Sequence, residues 1–302
     1  MLDVLGIGIA AVDELLRVPA FPGPDSKVRV TDWERACGGL AATALVAAAR
    51  LGASAAFAGV LGTDELSGFV DRALRAEGVD TTHAARLAHA GPGRSIVVVD
   101  PGGRRIVYSD PSRTIAGGDV TPPLDVIRGA RVLLVDHVRV PASIRAATVA
   151  HEVRIPVVGD LERSDHPRFP DLLALVDHLV VPLSFGARLT GASDPPGILA
   201  SLRAPGRTAV LTAGADGAWS QGPGPAETPV HHEAFAVEAV DTTGCGDAFH
   251  GAYAAGLAFG LDLPGRVRLA SAVAALTATR LGGQAGLPDR RTVDAFLAGR
   301  PG

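Results

Sequence analysis

The sequence predicts an α/β fold in three α/β/α layers: a mostly parallel central sheet with helices on both faces, plus a small separate sheet. From Arg131 onward, four strand-like apolar runs (VLLVD, IPVVGD, HLVVP and TAVLTAG) alternate with segments of helical length. Continuous apolar runs are typical of parallel strands that are buried on both faces. LDVLGIGI at residues 2–9 is a run of the same kind.

Runs with alternating polarity predict the small sheet. Residues 12–19 and 27–33 supply two strands, and Ser95–Asp100 and Arg104–Ser109 flank Pro101-Gly102-Gly103 as a hairpin. We expect the segments at about 12–33 and 94–109 to form a lid on a single domain that spans residues 1–302. Because such a sheet has one apolar face and exposed edges, we also expect it to be the contact of a homodimer.

Helices are predicted from apolar spacing and from their end signals. Leu40–Arg50 is rich in alanine and is followed by Gly52, while Asp64 can cap a helix that runs to about Glu77. The strand predicted at 55–60 completes a β–α–β order. In the last third, helical spacing covers residues 246–260, 264–281 and 290–299.

Composition excludes several functional classes. The 302 residues are 47% hydrophobic, and the formal net charge of −4 comes without a basic stripe, so a nucleic-acid partner is not expected. No apolar run reaches 18 residues without a charge, and the first residues lack a basic segment. We therefore expect a cytoplasmic protein with no membrane partner, in which Cys37 and Cys245 are free thiols.

The strongest chemical signal is Asp241-Thr-Thr-Gly-Cys-Gly-Asp247, directly before a predicted helix. Glycines at a helix start leave backbone N–H groups free to converge on an anion, and the helix dipole adds positive charge there. Asp247 would lie in the first turn, where it could accept the proton of an attacking hydroxyl. The alternative is an ordinary capping aspartate after a flexible loop.

This motif resembles the C-terminal signature of the ribokinase-like, or PfkB, carbohydrate kinases. Gly38-Gly39, with the alanine-rich helix that ends in Arg50-Leu51-Gly52, resembles their N-terminal signature, and the likeness spans nearly the whole chain. It implies the ribokinase-like fold and transfer of the ATP γ-phosphoryl group to a hydroxyl of a small sugar. The implied cofactors are ATP and Mg²⁺, with a monovalent cation such as K⁺ as a further expectation.

The resemblance also implies roles for individual residues. Gly244, Cys245 and Gly246 would form an anion hole beside the base Asp247. Asp13 and the Gly38-Gly39 backbone would hold sugar hydroxyls, and Thr212, Gly214, Gly217 and Gly283 would line the nucleotide site. Taken singly, Asp13 could merely end a strand, and the glycines could form ordinary turns.

The chain departs from the family pattern at two places. Thr43 stands where an asparagine is common, and a hydroxyl can replace only part of an amide's hydrogen bonding. The family's N-x-x-E segment, which handles phosphate and magnesium, should fall near residues 181–185, and neither residue is present. The metal ligands are therefore unknown from the sequence.

Among subfamilies, the motifs look most like those of bacterial sulfofructose kinases and their ketose-kinase relatives. The expected sugar is then a ketose such as fructose or 6-deoxy-6-sulfofructose, whose sulfonate Lys27 and Arg139 could hold. Arg139 could equally be an ordinary loop arginine, and Ser109 departs from the subfamily pattern. A nucleoside kinase and a non-catalytic binding protein on the same fold are the alternatives.

Two nucleotide motifs are excluded. Gly6-Ile-Gly8 imitates a dinucleotide fingerprint, but the prolines at 19, 22 and 24 leave too little room for the helix that this fingerprint requires. A P-loop needs a lysine after its last glycine, and the chain's single lysine follows Pro24-Asp25-Ser26.

Overall fold

A computed structural model describes residues 2–102, 104–224 and 226–300; Gly103 of the predicted hairpin turn lies outside the described residues. The strands are β1 (Leu2–Ile7), β2 (Ala11–Arg17), β3 (Asp32–Gly38), β4 (Ala55–Phe57), β5 (Val60–Leu61), β6 (Ala85–Arg86), β7 (Gly93–Val99), β8 (Arg105–Asp110), β9 (Ala130–Asp136), β10 (Val157–Asp160), β11 (His178–Pro182), β12 (Thr208–Thr212), β13 (Ala218–Gln221) and β14 (Val230–His232).

The helices are α1 (Leu40–Arg50), α2 (Glu65–Ala76), α3 (Ser112–Ile115), α4 (Leu124–Arg128), α5 (Val140–Glu152), α6 (Phe169–Ala174), α7 (Leu183–Thr190), α8 (Pro195–Ser201), α9 (Cys245–Ala258), α10 (Leu263–Ala278) and α11 (Arg290–Ala298). A 3₁₀ turn covers Gly214–Asp216. The two N-terminal helices match their predicted ends closely. Asp64 caps α2 as expected, since its carboxylate accepts the Ser67 N–H at 3.0 Å. No helix within the described ranges is long and apolar enough to cross a membrane.

The main sheet has eight strands in the order β14-β13-β12-β11-β10-β9-β1-β4. The pairs from β4 to β12 are parallel, and β13 and β14 add an antiparallel edge. The carboxyl ends of the parallel strands therefore meet at one edge of the sheet, which is where open α/β sheets bind ligands. This arrangement confirms the predicted, mostly parallel sheet.

Both faces of the main sheet are covered, as three layers require. Val132 and Leu134 of β9 pack into one buried cluster, which contains residues of α1, α9 and α10. Leu133 and Val135 of the same strand pack into the other cluster, with residues of α5 and α8. Alternate residues of a strand point to opposite faces, so a strand buried on both sides reads as one continuous apolar run.

The small sheet has four strands in the order β3-β2-β7-β8. The strand predicted at 27–33 is wrong, because pairing with β2 runs from Arg17↔Asp32 to Ala11↔Gly38. This register places the end of β3 directly before α1 and leaves residues 18–31 as the connection between β2 and β3. Lys27 therefore lies in an exposed connection rather than in a strand.

Candidate active site

The glycine motif forms the turn that precedes α9. Gly244 is the N-cap residue and has a φ of 74°, a left-handed conformation that strains residues with a side chain. A Cβ on Gly244 would also lie 2.8 Å from the Cα of Gly283. Gly283 therefore packs directly behind the turn. The Cys245 N–H makes a long hydrogen bond of 3.3 Å to the Thr242 carbonyl. The next N–H groups of the first helical turn have no carbonyl of an earlier turn to bind, which is the basis of an anion site.

Asp241 holds this turn in place from the other end of the motif. One oxygen of its buried carboxylate accepts the backbone N–H of Thr243 at 2.8 Å and the Thr243 hydroxyl at 2.7 Å. The second oxygen accepts the Gly282 N–H at 3.0 Å. Asp241 thus ties the turn before α9 to the loop that carries Gly283.

Asp247 is half-buried in the first turn of α9. Burial raises the pKa of its carboxyl well above the usual range, and the nearby Asp160 and Glu162 carboxylates raise it further. His250 acts on this pKa in the opposite direction. A general base works best when its pKa approaches the operating pH, so a raised carboxyl pKa suits that role.

Asp13 is positioned by β2, opposite Ala36 of β3 and Ser95 of β7. Burial raises the pKa of its carboxyl to about 6, against a hydrogen bond from Ser95 that lowers it. The Asp13 charge is among those that act on Asp247, so the two predicted carboxylates share one site. A Cβ on Gly38 would lie 1.9 Å from an Asp13 oxygen, which explains the glycine next to this side chain.

Gly39 and Thr43 lie at the start of α1. Gly39 is the N-cap residue with a φ of 96°, and a Cβ there would lie 2.7 Å from the Ile9 carbonyl oxygen. The Thr43 hydroxyl, at the position where the family favours asparagine, accepts a hydrogen bond from Gln284 Nε2 at 3.2 Å. Sequence reasoning did not single out Gln284, although it lies within the closing loop that carries Gly283.

Thr212, Gly214 and Gly217 form the turn between β12 and β13. Gly217 has a φ of 83°, and a Cβ there would lie 2.0 Å from the His232 carbonyl oxygen, so the turn requires glycine. Gly214 also has a positive φ, but the space around it is open. Since β12 is parallel to β11, this turn lies at the same sheet edge as the ends of β9 and β10.

The small sheet contacts the turn before α9 through an arginine that the motifs did not reveal. Arg105 of β8 donates from Nη1 to the hydroxyls of Thr242 at 3.0 Å and Thr243 at 3.1 Å. The same nitrogen lies 3.8 Å from the Asp241 carboxylate. Arg105 therefore joins the small sheet to the candidate anion site.

A cleft of about 280 Å³ lies between the inner face of the small sheet and the core. Its lining includes Leu15 and Ala36 from the small sheet, Phe69 from α2, and Asp241 and Gln284 from the site. Small-molecule sites commonly enclose roughly 300–1,000 Å³, so the cleft matches a small ligand.

The two predicted sulfonate anchors lie in different surroundings. Lys27 makes no hydrogen bond or ion pair among the described residues and is exposed. Arg139, at the N-cap of α5, is only 1% exposed, and its Nη2 donates to the carbonyls of Gly118 at 3.1 Å and Val120 at 2.8 Å. Burial lowers the pKa of this guanidinium. Its contacts favour the ordinary role of bracing the loop before α4.

The segment that should carry the family's N-x-x-E is the junction of β11 and α7. Leu183 begins the helix there, and Phe185 packs into the core. Within the described ranges, no group of three or more His, Cys, Asp or Glu side chains could hold a metal ion. The junction therefore does not supply the metal ligands that the family pattern implies.

Comparison with known proteins decides the family. The model of the pfkB family of carbohydrate kinases matches residues 1–290, which is nearly the whole chain. The chain belongs to this family. It is thus a carbohydrate kinase of the ribokinase-like group, and the ATP-dependent transfer that this group performs is its activity.

Individual relatives agree with this assignment. The chain is 28% identical to ribokinase of Bacillus subtilis over 305 residues, which cover 99% of this chain and all of that protein. Among solved structures, it is similar to Arabidopsis thaliana ribokinase complexed with ribose and ATP, with a TM-score of 0.87 and 23% identity over 98% of this chain and 99% of that chain. Adenosine kinase of Sinorhizobium meliloti gives a TM-score of 0.84 and 22% identity, with the same coverage. These two structures support the fold.

Proposed function

We propose that this pfkB-family kinase transfers the γ-phosphoryl group of ATP to a hydroxyl of a small neutral sugar, with Asp247 as the general base. The observation that carries the proposal is the position of Asp247 in the first turn of α9, next to Gly246, around which the space is open. A proton acceptor and an anion site at one point are what phosphoryl transfer requires.

In this mechanism the sugar hydroxyl gives its proton to a carboxylate oxygen of Asp247. The N–H groups of Cys245 and Gly246 donate hydrogen bonds to the oxygens of the transferring phosphoryl group. These hydrogen bonds stabilise the negative charge of the transition state, in which the bond to the leaving oxygen breaks. The open space at Gly246, where a Cβ would meet nothing within 4 Å, leaves room for that group. The thiol of Cys245 takes no part, because the anion site uses backbone N–H groups.

The sugar would lie between the small sheet and the core. Asp13 and the backbone of Gly38 and Gly39 would hold its hydroxyls. Thr43 would act together with Gln284, which already bonds to it. Closing the small sheet over the sugar, with Arg105 on the turn before α9, would exclude water from the transferring group. We therefore assign the small sheet as a lid on one kinase domain.

The nucleotide would lie along the turn after β12, with Thr212, Gly214 and Gly217 on one side and Gly283 behind the phosphates. Since the β11–α7 junction lacks the expected ligands, we expect Mg²⁺ to arrive bound to the ATP phosphates, which usually supply several of its ligands. Dependence on K⁺ is tested by replacing it with Na⁺ in the assay. A substrate such as ATP also supports a cytoplasmic location.

The choice of sugar is guided by the surroundings of Lys27 and Arg139. The two sulfonate anchors predicted from the sequence are an exposed lysine and an arginine whose side chain is buried on backbone carbonyls. A neutral sugar fits these surroundings better than an anionic one, and ribose is the first choice because the B. subtilis relative is a ribokinase. Fructose and 6-deoxy-6-sulfofructose remain the ketose candidates.

The outer face of the small sheet supports a homodimer. Leu16, Trp33, Ile96, Ile106 and Tyr108 share this face by strand register. Trp33 is 66% and Tyr108 62% exposed. A cluster of large exposed side chains of this kind is typical of a surface that binds another protein. A second copy of the same sheet across a two-fold axis would cover this face. Sedimentation of the protein and of a Trp33→Glu variant would test the dimer.

The central test is an ADP-release assay on the wild-type protein and Asp247→Asn. The panel contains ribose, fructose, 6-deoxy-6-sulfofructose, other aldoses and nucleosides. We expect turnover with a sugar, and a loss of kcat of about a hundredfold or more in the variant, with ATP binding near normal. Full kcat in Asp247→Asn would refute the base assignment. Turnover with nucleosides alone would favour a nucleoside kinase, and no turnover with any acceptor would favour a binding protein.

A further inference from the structure

Two buried side chains beneath Asp247 belong to none of the motifs that carry the proposed reaction. His250 lies one helical turn after Asp247 on α9, and Asp160 is the last residue of β10. Each is only 1% exposed. Buried ionisable groups beside a proposed catalytic base require an explanation, because burying a charge is costly unless it is compensated.

The histidine ring is held between two backbone carbonyls. Its Nδ1 lies 2.7 Å from the oxygen of Gly246, and its Nε2 lies 2.9 Å from the oxygen of Val180. A carbonyl oxygen can only accept a hydrogen bond, whereas a neutral imidazole carries a single N–H. A neutral ring would therefore direct one lone pair at a carbonyl oxygen. Only the doubly protonated ring donates to both.

The carboxyl group of Asp160 is the acidic partner of this ring, although burial and the nearby Glu162 and Asp136 carboxylates raise its pKa well above the usual range. Its Oδ1 lies 3.5 Å from His250 Nε2, and neither of its oxygens accepts a hydrogen bond within the described ranges. By strand register, Asp160 lies opposite Val180, whose carbonyl binds the same ring. The ring thus meets two carbonyl oxygens and one carboxyl group, and a cation at the ring would in turn favour the ionised form of Asp160.

Apart from Arg105, which lies on the turn before α9, the other charged groups around Asp247 are acidic. Glu162 follows β10, Asp13 reaches the site from β2, and Asp136 of β9 lies opposite Asp160. These acidic neighbours disfavour ionisation of the Asp247 carboxyl. A cation at His250 acts against them.

The helices α1 and α10, which pack on α9, have their charged side chains engaged away from the His250 ring. The only charged residue of α1 is Arg50, at its C-terminal end, where it binds Glu77 at 2.7 Å. Arg266 of α10 lies over the ring of Tyr253, with its guanidinium carbon 5.3 Å from the ring centroid. Its partner Tyr253 lies further along α9 than His250.

We propose that His250 is doubly protonated in the folded enzyme and, with Asp160 as its counter-ion, is a positioning residue for Asp247. The proposal rests on the proposed role of Asp247 as the base. It has two consequences. The bond to the Gly246 carbonyl fixes the first turn of α9, and the positive charge keeps Asp247 ionised at a pH where its acidic neighbours would otherwise keep it protonated.

The first test is the pH profile of kcat. In His250→Gln the side chain can still donate one hydrogen bond but carries no charge. We expect its acid limb to move to higher pH by about one unit, which is a tenfold loss of rate at a fixed pH below the limb. Adding Asp160→Asn to that variant should move the limb back toward the wild-type position, because the uncompensated carboxylate is removed.

His151→Gln is the matched control. His151 belongs to α5, outside the proposed site. Its Nε2 lies 3.3 Å from Oδ2 of Asp177, and both side chains are half-exposed. We expect this variant to keep the wild-type profile. A limb that stays in place in His250→Gln, or one that Asp160→Asn does not move back, would refute the positioning role, since loss of packing alone lowers the rate without moving the limb.

The second test does not depend on activity, and its main result comes from the wild-type protein. Among the nine histidines, nitrogen NMR of ¹⁵N-histidine-labelled wild-type protein at about pH 8.5 should show one buried ring with both nitrogens protonated, because ordinary histidines are neutral there. The signal should persist in His151→Gln and disappear in His250→Gln. If all nine rings were neutral, the proposal would be overturned, whereas failure of the kinase assay alone would leave this result standing and reject only the proposed reaction.

Discussion

Gly244 and Gly246 lie on either side of Cys245, yet an added methyl group should have opposite effects at the two positions. At Gly244 the φ of 74° is a left-handed conformation, and a Cβ would lie 2.8 Å from the Gly283 Cα. At Gly246 the backbone is helical, and a Cβ would meet nothing within 4 Å. The pair therefore separates damage to the fold from damage to the reaction.

We expect Gly244→Ala to lose about 1–3 kcal/mol of unfolding free energy, from the left-handed conformation and the backbone contact. In a chain of this size, this corresponds to a decrease of roughly 2–6 °C in Tm. We expect Gly246→Ala to keep or gain stability, by up to about 1 kcal/mol, because alanine favours the helix and restricts the unfolded chain.

The variant that keeps its stability, Gly246→Ala, is the one whose activity tests the reaction. A helical Cβ leans toward the helix N-terminus, so the methyl group of Gly246→Ala would enter the space assigned to the phosphoryl group. We expect its kcat to fall at least about tenfold, equivalent to about 1.4 kcal/mol of transition-state stabilisation. ADP release at saturating sugar and ATP, together with thermal unfolding of both variants, measures this. A fully active Gly246→Ala would mean that the phosphoryl group does not approach this turn, and the anion-site assignment would be wrong.

Three further predictions concern the lid and the buried titratable groups. Replacing Arg105 with Gln removes its two hydrogen bonds to the turn before α9, each worth about 1 kcal/mol, so we expect sugar KM to rise about 5- to 30-fold and Tm to fall by a few degrees at most. An unchanged KM would exclude a role in closing the lid. Because burial raises the pKa of Asp13 to about 6, its ionised form is lost below that pH, and sugar KM should rise there in the wild type but not in Asp13→Asn. Burial also raises the thiol pKa of Cys37 to about 12 and that of Cys245 to about 11, so iodoacetamide at pH 8 should label both only slowly until the chain unfolds, as mass spectrometry would show.

The sequence predicted the central sheet and most helices because their signals are local. A strand buried on both faces must be apolar throughout, and a helix end needs a cap such as Asp64 within the same few residues. Residues 27–33 show the limit of this reasoning. Their alternation resembles a strand, but strand pairing is decided by the partner, and β2 pairs instead with the segment from Asp32 to Gly38.

The glycines of the site could be predicted for a similar reason. Gly39, Gly217 and Gly244 each combine a positive φ with a backbone atom within 3 Å of an added Cβ. Such positions admit glycine alone, so the constraint is recorded in the sequence itself. Glycines in a recurring pattern therefore reveal where the backbone approaches a ligand or another loop, even though they say nothing about which ligand binds.

Side chains that act across the fold leave no local signal. Arg105 and Thr242 differ by 137 in residue number, and Gln284 and Thr43 differ by 241. Any arginine in a polar strand looks like a solvated residue until the register of the small sheet is known. The buried Arg139 is the converse case, since its position after a strand was compatible with either an anion anchor or an ordinary loop arginine, while its contacts are backbone carbonyls.

His250 and Asp160 illustrate why the electrostatics of the site depend on topology. Taken alone, a histidine in an apolar helix and an aspartate that ends a buried strand are both compatible with ordinary roles. The sheet order places β10 between β9 and β11, so Asp160 lies beside both Asp136 and the Val180 carbonyl, directly under α9. We infer that the cost of burying these carboxylates is offset by the His250 ring, whose two nitrogens both meet acceptors, and that the charge on Asp247 depends on that ring.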